Sequence, residues 1–275
     1  MREAVFAGYF YPSKKEELEK MISSFFEKSF REVKERKNAI GIVSPHAGYI
    51  YSGLTASYAF SSLPRNINKT FIIIGPNHTG YGKEVSVYSK GIWRTPLGEV
   101  EIDEELANEI IKNSDYAEED EIAHLEEHSI EIQLPFLQFL YKKVRIVPIC
   151  LLNQSKEVAE DLAKAILKTK KEFILIASSD FNHYEDQQTT LKKDLKLIDS
   201  IVSLDIDNFY SVLRKERVSA CGYGGIAVLL KITEELNGKI ELIKHSTSGD
   251  VNKDYSSVVG YASLIAFGEQ KRINI

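Results

Sequence analysis

Apolar positions along this chain follow two rhythms. Near-continuous apolar runs at 39–43, 70–74, 144–149 and 173–177 are the mark of strands buried on both faces. Between them, apolar residues recur at helical spacing on an otherwise charged background. In the Lys/Glu-rich stretch 13–37 they are Leu18, Met21, Ile22, Phe25 and Phe26, which predicts a helix with a solvated outer face. Ser13 followed by Glu16 has the form of a capping box for it. Further helices are expected over 52–63, from an Asp103 cap to Lys112, from Ile130 onward with Pro135 near the start, and over 155–169, 188–203, 205–215 and 224–236. Residues 84–101 alternate apolar and polar between Gly91 and Gly98, as a hairpin excursion does. Segment 115–128 is acidic and shows no clear period. Strands at 241–245 and 257–267 follow each other without a helix between them.

This order gives an α/β fold: a three-layer α/β/α sandwich around a mixed, largely parallel sheet. No linker, repeat or low-complexity tract interrupts it, so residues 1–275 are expected to form one domain.

Composition narrows the function classes. The net charge of −5 argues against a general nucleic-acid binder. Two cysteines, Cys150 and Cys221, are too few for a disulfide scaffold or a multi-cysteine zinc ribbon. Residues 1–11 lack the apolar run of a signal peptide, and no stretch approaches the roughly 20 apolar residues of a membrane span. The expectation is a cytoplasmic protein with no membrane partner, taking a small-molecule or peptide ligand.

Three of the strands end in polar clusters that carry a histidine: Ser44-Pro45-His46, Gly75-Pro76-Asn77-His78, and Ser178-Ser179-Asp180-Phe181-Asn182-His183. The carboxyl ends of strands line the ligand crevice in open α/β sheets, and neutral imidazole is the commonest metal ligand. Three of six histidines at one architectural position favour a site over three unrelated loop residues. Cys221 precedes a glycine cluster at a predicted helix start, where the dipole would lower a thiol pKa. Taken alone it is as readily a small buried hydrophobe as a ligand. Cys150 reads as core. His124-Leu125-Glu126-Glu127-His128 fits the H-x-x-E-H pattern of inverted zinc proteases, but it is short, acid-rich and without an apolar helical face.

Several further segments complete a family pattern: Ala7-Gly8-Tyr9-Phe10-Tyr11-Pro12, Arg94-Thr95-Pro96-Leu97-Gly98, Glu127-His128-Ser129-Ile130-Glu131, Cys221-Gly222 and Ser256-Ser257-Val258-Val259-Gly260-Tyr261. With the strand-end clusters, and in this order, they resemble the Memo family, which includes mediator of cell motility and the AmmeMemoRadiSam system protein B homologues. That family is similar to the class III extradiol dioxygenases, non-haem iron enzymes, with a cysteine in place of their carboxylate ligand. The resemblance implies metal ligands His46, His78 and Cys221. It implies His183 and His128 as histidines of a catalytic site, either supporting the ligands from behind or serving as acid–base groups, with Asp180 orienting His183 or a water. It also hints at a link to a radical SAM protein. The phosphotyrosine-peptide binding described for the vertebrate member is not carried over.

The leading expectation is therefore a metal-dependent redox protein using iron or copper, with zinc as a third candidate. A thiolate favours copper or zinc more than a carboxylate does, and it is itself oxidisable. The alternative is a non-catalytic peptide- or small-ligand-binding module in the same crevice, with Tyr49, Tyr51, Tyr81, Trp93 and Tyr223 as aromatic walls. A zinc protease built on His124, Glu127 and His128 is the third reading.

Overall fold

The computed structural model describes residues 1–268, so residues 269–275 of the expected domain lie outside the described part. The strands are β1 (Ala39–Ser44), β2 (Thr70–Pro76), β3 (Val85–Val87), β4 (Ile92–Thr95), β5 (Gly98–Ile102), β6 (Ala117–Glu119), β7 (Arg145–Leu151), β8 (Phe173–Ser178), β9 (His183–Glu185), β10 (Lys239–Thr247) and β11 (Val258–Phe267). The helices are α1 (Lys15–Glu32), α2 (Tyr49–Ser61), α3 (Glu104–Asn113), α4 (Ile122–Leu125), α5 (Leu134–Leu140), α6 (Lys156–Lys168), α7 (Gln187–Val202), α8 (Ile206–Lys215), α9 (Tyr223–Glu235) and α10 (Gly249–Asn252).

One sheet runs in the order β10-β11-β1-β8-β2-β7-β3-β6, with β5 and β9 joined at its margins and β4 paired to β5. Its centre, β1-β8-β2-β7, is parallel. The flank β11-β10 is antiparallel, as two strands in succession without a crossover helix require. Successive residues of each central strand face opposite layers. Ile72 and Ile74 join the core under α3, α6, α7, α8 and α9, while Phe71 and Ile73 join the core under α1, α2 and α5. Such two-sided burial is why these strands read as near-continuous apolar runs. The result is the three-layer sandwich with a mixed sheet.

Local signals hold where their chemistry is complete. The Asp103 and Ser155 side chains accept from the Leu106 and Val158 N–H groups and start α3 and α6. The capping box at Ser13 does not form. Helix α1 starts at Lys15, with extended Lys14 as its cap residue and no side-chain cap bond. The helix expected from Ile130 opens instead as a 3-10 turn over Glu131–Gln133, and Pro135 occupies the first turn of α5, where its missing N–H costs nothing. Segment 115–128 yields only the short β6 and α4, too short to show a period.

Candidate metal centre

Strands β1, β8 and β2 are parallel neighbours, so their carboxyl ends stand side by side. His46 lies two residues beyond β1 and His78 two residues beyond β2. The segment between α4 and the 3-10 turn brings His128 to the same point. One ligand nitrogen from each of these three imidazoles lies within 4.8 Å of the other two. The His78 and His128 rings stack with centroids 4.6 Å apart, and His46 meets both edge-on at 5.3 and 5.2 Å. His46 is buried, His128 half-buried and His78 exposed, so the cluster opens to solvent on the His78 side.

Each ring is held from behind. The Glu127 carboxylate bonds His78 Nδ1 at 2.9 Å and accepts the His78 and Ser129 backbone N–H groups at 2.6 and 2.8 Å. A carboxylate behind a ligating imidazole fixes ring orientation and raises its basicity. His46 Nδ1 lies 2.9 Å from Ser178 Oγ, and Phe10 packs on His128 with ring centroids 4.6 Å apart. Gly75 permits the approach of the segment that carries Glu127: a Cβ there would stand 2.3 Å from Ser129 Oγ.

Burial, then the neighbouring His78, lowers the His46 pKa to about 3. Burial, then His46, lowers that of His128 to about 3. Both rings are neutral at pH 7, the form that binds a metal. Burial works to raise the Glu127 pKa, but the bond to His78, the His78 and His128 charges and the Ser129 N–H hold it down to about 2.

Cys221 sits just before α9, its Sγ 3.1 Å from His46 Nε2 and 3.3 Å from the Asp180 N–H that points at it. Gly222 makes this possible, because a Cβ there would stand 2.1 Å from Ser178 O. The expected lowering of the thiol pKa is corrected. Burial, then the Asp180 charge, pushes it well up, and these outweigh the hydrogen bonds from the Asp180 backbone and the Ser179 side chain that lower it. A tetrahedral zinc with one imidazole and one thiolate places N and S roughly 3.6 Å apart. The 3.1 Å contact is shorter than that, and Cys221 lies outside the three-imidazole group, so ligation shared with His78 would need the sulfur to move; binding would release the thiol proton.

Asp180 Oδ1 accepts the His46 and Ala47 backbone N–H groups at 2.8 and 3.3 Å, so it shapes the His46 loop. His183 bonds Ser219 O through Nδ1 at 2.9 Å and lies outside the three-imidazole group. His124 is buried elsewhere, its Nε2 3.0 Å from Ser86 O and its ring against Trp93, so the H-x-x-E-H pattern does not converge on one ion. Trp93 is buried beneath Arg2 and cannot wall a crevice, whereas Tyr51 lines a cavity of about 400 Å³ with Tyr9 and Phe10. Sequence reasoning overlooked Ser129, Gln133 and Ser178, and took Glu127 only for a protease base. The available signal was the alternation of Ile130, Ile132 and Leu134 with polar Ser129, Glu131 and Gln133, every one of them buried.

An α/β sandwich with an imidazole cluster at the carboxyl ends of its central strands defines the class. Residues 2–265 match the model of the family described as Memo-like protein, and the chain belongs to the Memo family. It is 48% identical to a MEMO1 family protein of Thermoplasma volcanium over 267 residues, 97% of this chain and 98% of the relative. It is 48% identical to one of Thermotoga maritima over 278 residues, covering 97% and 99%. A relative from Nitrosopumilus maritimus is 43% identical over 271 residues, covering 96% and 98%. All three share that one description, which specifies no activity. Among the described residues, no helix is long and apolar enough to cross a membrane.

Proposed function

We propose that this chain is a metal-dependent redox protein whose ion is held by His46 and His78, with Cys221 as third ligand and His128 beside them. The observation that carries the reading is the convergence of three imidazole nitrogens within 4.8 Å, with the Cys221 sulfur 3.1 Å from one of them. Iron or copper bound there would supply electron-transfer chemistry and open positions for small ligands, and zinc would supply a Lewis acid.

The remaining residues act on geometry and protons. Glu127 and Ser178 hold the rings, Asp180 holds the His46 loop, and Phe10 covers one face of the His128 ring. His183, which donates Nδ1–H to Ser219 O, keeps Nε2 free to accept a proton from a bound acidic ligand.

Metal analysis of protein expressed in rich medium tests the ligand set. Wild-type protein is expected to hold one equivalent of metal, and His46→Ala and Cys221→Ser to lose most of it. Full metal content in both variants would defeat the assignment. Oxygen uptake by anaerobic, Fe(II)-loaded protein across a panel of catechols then tests the redox reading against free iron.

A further inference from the structure

The hydrogen bonds behind His46 allow only one arrangement of protons. Ser178 Oγ has three neighbours: Ser129 O at 2.6 Å, Gln133 Nε2 at 2.8 Å and His46 Nδ1 at 2.9 Å. A hydroxyl has one proton and two lone pairs. Ser129 O can only accept, so the hydroxyl proton lies on that bond. The Gln133 amide nitrogen can only donate, so it takes one lone pair. The Gln133 orientation is itself fixed: Nε2 also faces Pro45 O at 3.1 Å and Ser44 O at 3.5 Å, and a flipped amide would set oxygen against these carbonyls. Among the described residues Gln133 Oε1 is buried without a partner, a cost accepted for the sake of the donor end. The last lone pair of Ser178 is left for His46, which must donate.

We infer that Ser178, oriented by Ser129 O and Gln133, is a positioning residue that locks the His46 imidazole as the Nδ1–H tautomer and presents the Nε2 lone pair to the cluster. The neighbouring contact agrees, since Nε2 faces the Cys221 thiol, a donor. The contrast within the chain is sharp. His124 bonds Ser86 O through Nε2 and leaves a buried Nδ1 unpartnered, the opposite tautomer, and it lies outside the cluster. The 127–133 segment thus orients both strand-end rings, His78 through Glu127 and His46 through Ser129, Gln133 and Ser178. The purpose of this device rests on the metal-centre reading, but its existence does not.

Long-range proton–nitrogen correlation spectra of nitrogen-15-labelled, metal-free protein read each tautomer directly. His46 is expected to show a protonated Nδ1 and a bare Nε2, with His124 reversed as internal reference. Ser178→Ala is expected to shift His46 toward the Nε2–H form and Ser178→Thr to restore the wild-type pattern. Zinc titration should show affinity about 10–100-fold weaker in Ser178→Ala and recovered in Ser178→Thr. A wild-type His46 protonated at Nε2 overturns the inference whether or not any variant folds, and so does an unchanged His46 pattern in Ser178→Ala. A protein with the expected tautomer that binds no metal would refute the metal-centre reading and leave this one standing.

Discussion

Glu127 and Glu131 stand four residues apart, both buried, and they do opposite work. Glu131 meets a full positive charge. Its Oε2 takes Arg2 Nη1 at 2.6 Å, and it also accepts the Val5 and Phe6 N–H groups and the Tyr11 hydroxyl. Arg2 in turn donates to the His124 and Glu127 carbonyls and lies 4.2 Å from the Trp93 ring centre. This cluster staples the start of the chain across the sandwich. Glu127 meets only imidazoles and backbone N–H groups, and its partner rings point away from it into an open cleft. A buried carboxylate that neutralises a fixed charge serves the fold. One that braces imidazoles from behind leaves their other nitrogens free, and so serves a site.

The largest expected effect comes from removing the charge at the staple. Glu131→Gln leaves the Arg2 guanidinium buried with no counter-charge, a loss of about 3–5 kcal/mol. At roughly 2–4 °C per kcal/mol for chains near this size, the thermal midpoint should fall on the order of 10 °C. Zinc affinity below the melting range should stay close to wild type. A fall in zinc affinity as large as the Glu127 variant shows would erase the distinction between the two carboxylates.

Glu127→Gln should show the reverse balance. Its effect is expected in zinc affinity, about 10–100-fold by titration, with a smaller loss of thermal stability than Glu131→Gln. A Glu127→Gln protein that binds zinc as tightly as wild type would return Glu127 to a purely structural role.

The same contrast shows how far the sequence could be read. The sandwich was legible because two-sided burial writes itself as near-continuous apolar runs, and helix faces as a period. His46 and His78 were legible because their strands end at a Pro turn, and parallel strands bring such ends together. His128 was harder, since it lies where irregular backbone gives no period. The roles of Arg2 and Ser178 were not legible, and those of Ser129 and Gln133 showed only as polar positions alternating with apolar ones. Each is polar in type yet buried, and only the partners that satisfy it, up to 129 residues away for Arg2 and Glu131, reveal why. The H-x-x-E-H pattern misled for a related reason. Its two histidines share a spacing but not an environment, one in the staple and one in the cleft.

The smallest expected effect separates those two histidines by pH. Burial lowers the His124 pKa to about 4, below the usual value of 6.5. The unfolded chain therefore takes up the proton first as pH falls, and His124 subtracts stability progressively from about pH 6.5 down to about pH 4. Above that window it contributes no pH dependence. His46 and His128 add the same trend in metal-free protein, with the window reaching about pH 3. Those two rings contribute equally to wild type and to a His124 variant, so the difference between the two slopes in that window belongs to His124. His124→Gln keeps a donor for Ser86 O but cannot titrate. Urea unfolding of metal-free protein from pH 7 to pH 4.5 should show a shallower fall in stability for His124→Gln than for wild type. Equal slopes would place the titration elsewhere and remove His124 from the acid response of the staple.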